Sequence, residues 1–373
     1  YQKKGLYRPF AELMKKTVDV PVICAGRMDD PNMALEAIEG GVCDVISLGR
    51  PLLADAHYVN KLRRDAFCEI RPCISCQEGC MGRVQEYSAI NCAVNPSAGR
   101  ERITSYNPVA KPKKVMIIGG GPAGCEAARV LAVRGHKPEL FEKKGYLGGN
   151  LIPGGAPDFK KDDIALADWY KNQLDRLGVC LHLNSEVKKE DIISKKFDSL
   201  IIATGSNPKR ISLGDDETVY TAEDVLLGKR SPGHVTVIIG GGLVGCETAL
   251  YLAKKGIKVT VVEAMDKILS VNRPLCHANS EMLERLIPFN GIEVITRAKV
   301  KAYDGMNLSL EKSGEKRNIK CDSVILAVGY KEEKSLYEEL KYDIPEIYAV
   351  GDARKVANIM YAVWDAFEIA NSI

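Results

Sequence analysis

One pattern occurs twice in this chain, and it constrains the fold more than any other feature. From Val115 a β-branched run enters G-G-G-P-A-G, continues as an apolar helical stretch, stops at Gly135 and resumes as a second strand ending at Glu142. The same order returns 121 residues later, from Thr236 through Gly240 and Gly256 to Glu263. A buried parallel strand, a G-x-G-x-x-G turn, a helix and a second strand ending in an acid make up the dinucleotide-binding βαβ unit. Gly119 permits the tight turn, Gly121 lets a pyrophosphate approach the backbone, and Gly124 lets helix and strand pack closely; Gly240, Gly242 and Gly245 repeat those roles. The helix N-terminus offers free N–H groups to phosphate, and Glu142 and Glu263 stand where ribose hydroxyls are accepted. A single glycine fingerprint also arises at ordinary strand–helix turns. Two copies in full context exclude that explanation and predict an α/β chain with two nucleotide sites. A flavin with a nicotinamide is the pairing that serves hydride transfer.

Four cysteines precede the first unit: Cys73, Cys76 and Cys80 at spacings of two and three intervening residues, then Cys92. Three thiolates from one turn-rich loop and a fourth from further along suit a 4Fe-4S cluster. Zinc is the alternative, but zinc ribbons present two C-x2-C knuckles and the second is missing here. Cys24, Cys43, Cys68, Cys125, Cys180, Cys246, Cys276 and Cys321 are expected to be structural. The five histidines, His57, His136, His182, His234 and His277, show no metal-like or triad spacing and are expected on the surface or in packing, as are Tyr58, Tyr87 and Tyr106.

The chain has 373 residues, 46% of them hydrophobic, with a net charge of +3 and its basic and acidic residues interspersed. That balance gives no field for nucleic acid. No apolar run reaches a membrane span and the N-terminal residues lack a signal-peptide stretch, so the expectation is a soluble, cytoplasmic protein. A homo-oligomer is left open.

The first seventy residues are expected to be a βα unit feeding a parallel strand: a buried strand over 20–28, a helix over 29–41 with Asp30 as N-cap and Pro31 at its first position, and a strand over 42–50. Glycine and arginine end both strands, as in the last two strands of a (β/α)8 barrel, whose loops commonly bind phosphate. Gly26, Arg27, Gly49 and Arg50 are then candidate phosphate ligands for FMN. A surface turn with a solvated arginine is the bland explanation of each pair; the neighbouring cysteine cluster favours the barrel.

Downstream, 197–208 (F-D-S-L-I-I-A-T-G-S-N-P), 319–330 (I-K-C-D-S-V-I-L-A-V-G-Y) and 344–352 (I-P-E-I-Y-A-V-G-D) each read as a strand running into a glycine turn, the last before a helix over 359–373. These segments resemble the two-dinucleotide flavoprotein superfamily typified by glutathione reductase. The resemblance implies that the first fingerprint binds FAD, that Ala203, Thr204 and Gly205 close on it, and that Gly351 and Asp352 place a carboxylate near the ribityl chain. The second fingerprint would take NADH in preference to NADPH. Pro122, Ala123, Gly149, Asn150, Val244 and Gly329 are also counted as cofactor contacts. The redox-active cysteine pair of disulfide reductases is absent.

Barrel tail, cysteine cluster and split dinucleotide domains, in that order, resemble the bacterial family of 2,4-dienoyl-CoA reductase, enoate reductase and trimethylamine dehydrogenase, which includes steroid enone reductases of anaerobic gut bacteria. The implied division is a barrel remnant over 1–70, a cluster segment over 71–107, an FAD domain over 113–215 and 321–373, and an NAD(P)H domain over 216–320. The implied chemistry passes electrons from NAD(P)H through FAD and the cluster to FMN, which reduces an activated C=C bond of an enoyl-CoA, enoate or enone. The family carries a whole FMN barrel, whereas this chain opens in its last quarter, so no catalytic residue is expected within it. The main alternative is an electron-delivering subunit like the small subunit of glutamate synthase, which has a helical cluster domain in place of barrel strands. A zinc-stabilised nucleotide sensor is the non-catalytic alternative.

Overall fold

The computed structural model describes residues 1–104, 106–214, 217–270 and 275–373. The expected domain boundary at 215/216 lies outside the described residues.

Near the N-terminus, strand β1 (Ile23–Cys24), helix α1 (Pro31–Glu39) and strand β2 (Val45–Ile46) form the expected unit, with β1 and β2 parallel. Asp30 caps α1, accepting from the backbone N–H of Asn32 and Met33 at 3.0 and 3.2 Å, and Pro31 follows with its preset φ. The strands are shorter than expected because each has a hydrogen-bonded partner on one side alone. The chain leaves β1 through Gly26 and Arg27, both at positive φ, and Arg50 begins a helix rather than ending a strand. Nor are the strands fully buried: Ile23 is 64% exposed and Val45 46%.

The first nucleotide unit follows as β3 (Lys114–Ile118), α2 (Pro122–Val133) and β4 (Lys137–Phe141). A long helix α3 (Lys161–Arg176), then β5 (Cys180–His182) and β6 (Ser199–Ile202), extend it. The second domain comprises β7 (Val219–Thr221), β8 (Val235–Ile239), α4 (Leu243–Ala253), β9 (Lys258–Val262), α5 (His277–Phe289) and β10 (Glu293–Ile295). An antiparallel three-stranded sheet, β11 (Ala298–Tyr303), β12 (Asn307–Lys312) and β13 (Glu315–Lys320), is the crossover to β14 (Ser323–Leu326). The chain returns to the first domain with β15 (Ile347–Ala349) and α6 (Ile359–Ser372).

Two five-stranded parallel sheets result, ordered β15-β6-β3-β4-β5 and β10-β9-β8-β14-β7. The repeat therefore extends beyond the two fingerprints to the order of whole sheets. It also corrects one expected boundary. Strand β14, assigned from sequence to the first domain with 321–373, pairs with β7 and β8 in the second sheet. The crossing back is made after it, where Ser206–Pro208 and Tyr330–Glu332 pair as an antiparallel link. A buried apolar strand looks the same whichever sheet receives it.

Helix α2 is the centre of the first domain, with nine of its residues, Ala123 to Leu131, buried between the sheet, α3 and α6. Two of the nine are charged, and they satisfy each other: Arg129 donates from Nε and Nη2 to Glu126 at 2.9 and 2.7 Å. Six of the eight cysteines expected to be structural are buried; Cys68 and Cys180 are exposed, which corrects that assignment for them.

Candidate functional site

Residues 73–92 fold as a loop that reverses twice. Ser75 and Gln77 take positive φ, unusual for residues with a Cβ, and Gln77 leads into a single π-helical turn over Glu78–Gly82. The reversals turn Cys73, Cys76, Cys80 and Cys92 onto one small pocket, which Arg50, Gly79 and Asn91 also line. None of the four is in a disulfide. A side chain at Gly79 has no room, since its Cβ would lie 2.8 Å from Asn91 Oδ1 and 3.0 Å from the backbone N of Ala93.

Burial pushes the thiol of Cys73 up to about 11 and raises those of Cys76 and Cys92. Backbone N–H groups of Ser75, Glu78, Val94 and Asn95 point at these sulfurs and work in the opposite direction. Such a pocket holds neutral thiols on its own and thiolates when a multivalent cation supplies the missing charge. Four converging sulfurs with N–H donors behind them fit the ligand shell of an iron–sulfur cluster.

Cys76 also lines a second, much larger cavity of about 530 Å³. Its far wall is the first nucleotide loop: Gly119, Gly121, Pro122 and Ala123, with Glu142 at the end of β4. Gly149 and Asn150 line it further along, as do Ala203, Thr204 and Gly205 at the end of β6 and Asp352 before α6. The close approach is visible in the glycines. A Cβ on Gly124 would lie 1.9 Å from the carbonyl oxygen of Gly119, while one on Gly121 would meet nothing within 4 Å. Gly121 is thus the open face that a pyrophosphate needs, and Gly124 the packing contact. Glu142 accepts from the backbone N–H of Gly120 at 2.6 Å and Lys144 at 2.7 Å, and these two bonds use two of its four acceptor positions. Asp352, raised by burial, accepts from Ser206 Oγ at 2.8 Å and Ala357 N at 3.1 Å. Its neighbour Gly351 is buried and packs on Ala123.

The second loop repeats this construction, with its glycines and Glu263 outside the cavity lining. A Cβ on Gly245 would lie 1.9 Å from Gly240 O, and Gly240 abuts Ala327 as Gly119 abuts Ala203. Gly242 caps α4 in extended backbone, and Glu263 accepts from Gly241 N at 2.6 Å and Met265 N at 2.8 Å. Gly329, at φ +95, matches Gly205 at φ +77. Of the second-unit candidates named from sequence, Val244 reaches the large cavity, beside Leu243, Glu247 and Thr248.

The N-terminal candidates are divided. Arg50 reaches the cysteine pocket and Gly49 has open space around it. Gly26 packs against Tyr7. Arg27 pairs with Asp162 of α3 and donates to the Gln2 carbonyl, so its guanidinium is committed to a domain contact.

Several cavity residues have no signal in the sequence. Tyr1 donates to Glu247 at 2.8 Å, and Lys160 lies 3.5 Å from Glu247 and 3.7 Å from Asp163. Burial works against the charge of Lys160, but Glu247 and Asp163 outweigh it and hold the amine above the ordinary lysine range. These residues are far apart in the chain, and folding alone brings them together. No helix among the described residues is long and apolar enough to cross a membrane.

Comparison with known proteins agrees with this construction. The family model described as pyridine nucleotide-disulphide oxidoreductase matches residues 113–366, and that of the NADH:flavin oxidoreductase / NADH oxidase family matches residues 2–67. These families bring FAD with a nicotinamide dinucleotide to the longer span and FMN to the shorter. Cinnamate reductase of Clostridium sporogenes is 52% identical over 373 residues, covering 100% of this chain and 56% of that protein. NADH oxidase of Thermoanaerobacter brockii is 38% identical, covering 96% of this chain and 56% of its own length. A solved 2-naphthoyl-CoA reductase in complex with 2-naphthoyl-CoA superimposes with a TM-score of 0.93 at 31% identity, over 100% of this chain and 57% of that one. The chain thus spans a little over half the length of the relatives it matches. With both matches in this order along it, the chain belongs to the pyridine nucleotide-disulphide oxidoreductase family and carries ahead of that region a segment matching the NADH:flavin oxidoreductase / NADH oxidase family.

Proposed function

We infer that this chain is the electron-input part of a reductase that takes two electrons from NADH, or NADPH, and delivers them to an activated C=C bond. The observation that carries this is the position of Cys76, which lines both the four-cysteine pocket and the large dinucleotide cavity. A redox group held by one pocket is in that way adjacent to a redox group held by the other. When bound, FAD supplies acceptance of a hydride and release of single electrons, the cluster carries those singly, and FMN on a barrel delivers them to substrate.

The residues of this chain do the holding. Gly119, Gly121 and the N-terminus of α2 would cradle the FAD pyrophosphate, Glu142 its adenosine ribose, and Asp352 and Thr204 the flavin end. Gly240, Gly242, Gly245 and Glu263 would do the same for the nicotinamide dinucleotide. Cys73, Cys76, Cys80 and Cys92 would hold a 4Fe-4S cluster, and Arg50 bears on both the barrel end and the cluster. Exposed apolar residues of the N-terminal unit, Ile23 and Val45, present the faces against which further barrel strands would pack. The substrate is then an α,β-unsaturated acid, thioester or enone, with its proton donor on the barrel; the names of the two reductase relatives favour an acid or a CoA thioester. The parallel pair β1–β2 disfavours the glutamate-synthase-like subunit.

The test is anaerobic purification followed by iron, sulfide and flavin analysis and two assays. Bound FAD, four irons per chain and NADH-dependent dye reduction are expected, with C=C reduction appearing when a complete FMN barrel accompanies this chain. Dye reduction without bound flavin, or enone turnover by these 373 residues at the rate of the barrel-complete protein, overturns the assignment.

A further inference from the structure

Outside the residues that line either pocket, the edge of the first sheet brings three metal-ligating side chains together. Cys180 and His182 are two residues apart on β5, so they share a face of the sheet, and Glu139 on β4 is the register partner of Cys180. His182 Nε2 lies 3.3 Å from Cys180 Sγ and 3.2 Å from Glu139 Oε2, and the three ligand atoms are all within 4.8 Å of one another. Spacing along the chain gives the histidines no metal-like arrangement. A partner strand supplies what that spacing cannot show.

The contacts converge on one ring nitrogen, and that distinguishes a metal site from a catalytic triad. In a Cys–His–carboxylate triad, the carboxylate holds the ring nitrogen remote from the thiol. Here thiol and carboxylate both face Nε2. A neutral imidazole carries at this atom either one proton or one lone pair, so it cannot make a full hydrogen bond to both neighbours. A cation between the three atoms satisfies all of them. Tetrahedral zinc, with bonds of about 2.0–2.3 Å to oxygen, nitrogen and sulfur, sets its ligand atoms roughly 3.3–3.7 Å apart, close to the two short separations found here.

We propose that Glu139, Cys180 and His182 form a zinc site, with a fourth position open to water. Mixed sulfur, nitrogen and oxygen ligands select zinc over magnesium or calcium, which take oxygen shells. Cys180 is exposed and the side chains of Glu139 and His182 are about a third exposed, so the ion enters from solvent. The position of the site suggests its use. The His182 ring stacks on Phe141 with centroids 4.2 Å apart, and its carbonyl accepts from the Glu142 N–H at 2.9 Å. Zinc would staple the edge strand to β4 beside the acid that ends it.

The experiment is calorimetric titration of zinc chloride into the anaerobic holoprotein, with its cluster and flavin in place. One zinc per chain is expected, and the zinc-edge X-ray absorption should show one sulfur among nitrogen and oxygen neighbours. Cys180→Ser and His182→Gln should each weaken binding roughly a hundredfold or more, since loss of an outer-shell partner alone costs up to about that. Cys68→Ser, at the other exposed cysteine, should bind as the parent does, and unchanged iron content in all three variants shows that they fold. Absence of a zinc site, binding unaffected by Cys180→Ser and His182→Gln, or an all-sulfur shell overturns the proposal.

Discussion

Asn279, in the first turn of α5, donates from Nδ2 to the backbone carbonyl of Cys76 at 2.7 Å, and Gln77 Nε2 donates back to Asn279 Oδ1 at 3.3 Å. The second domain is thereby latched to the loop that carries the cysteines. Gly82 and Cys276 pack beside this latch, where a Cβ on Gly82 would lie 3.5 Å from Cys276 Sγ. The expected outcome for Asn279→Ala is a loss of about 1–3 kcal/mol, because the Cys76 carbonyl and the Gln77 amide both lose a partner. Iron should also leave the protein faster in air. Urea unfolding and timed iron analysis measure the two effects, and a variant matching the parent in both would mean that the latch is ornamental.

The ligand assignment has a direct test. Cys76→Ser should remove the cluster iron and its broad visible absorbance, while Cys24→Ser, at a cysteine 1% exposed, and Cys68→Ser should retain both. Gly79→Ala should also lower iron content without removing a ligand, because its Cβ would press on Asn91 and Ala93. If Cys76→Ser keeps its iron and Cys24→Ser loses it, the four ligands are wrongly chosen.

The sequence shows the two nucleotide units because their signals are local: glycine at fixed offsets, apolar periodicity and an acid ending each strand. Gly119 and Gly240 stand out from those offsets alone. What the sequence does not show is which sheet receives a strand. The run over 323–326 reads as buried whether it joins β6 or β8, and the boundary expected at 321 falls on the wrong side of it for that reason. The capture of Arg27 by Asp162, the Tyr1–Glu247–Lys160 contacts and the grouping of Glu139 with His182 are equally invisible. Each joins residues whose separation along the chain carries no information about their distance in space.

Nicotinamide choice should depend on Glu263. In the proposed nicotinamide site its carboxylate, held by Gly241 N and Met265 N, would face the adenosine ribose and repel a 2′-phosphate. NADH is therefore expected to show the higher kcat/KM, softened by Lys267 four residues on. Glu263→Ala should narrow the NADH-to-NADPH ratio even where loosening of the loop lowers both rates. A parent enzyme preferring NADPH rejects the first statement, and an unchanged ratio in the variant rejects the second.

Asp163 gives the protein a pH dependence of unusual sign for a carboxylate. Burial raises its carboxyl to about 6 against an ordinary value near 3.8; Lys160 pulls it down while Glu247 and Asp162 push it up. One of its oxygens has no hydrogen-bond partner. Between about pH 4 and 6 the folded protein therefore binds a proton at Asp163 that the unfolded chain does not, and stability from this group rises as pH falls through that window. Above pH 6 both states are ionised and the gain is gone. The shift of about two units corresponds to an effect on the order of 2–3 kcal/mol. Other carboxylates titrate in the same range, so the measurement is the difference between the parent and Asp163→Asn, which cannot titrate there. Thermal midpoints taken from pH 7 to pH 4 should move in favour of the parent relative to the variant. A difference that stays constant, or that favours the parent increasingly as pH rises, would place the ionised form of Asp163 as the one the fold prefers, with Lys160 dominating over burial.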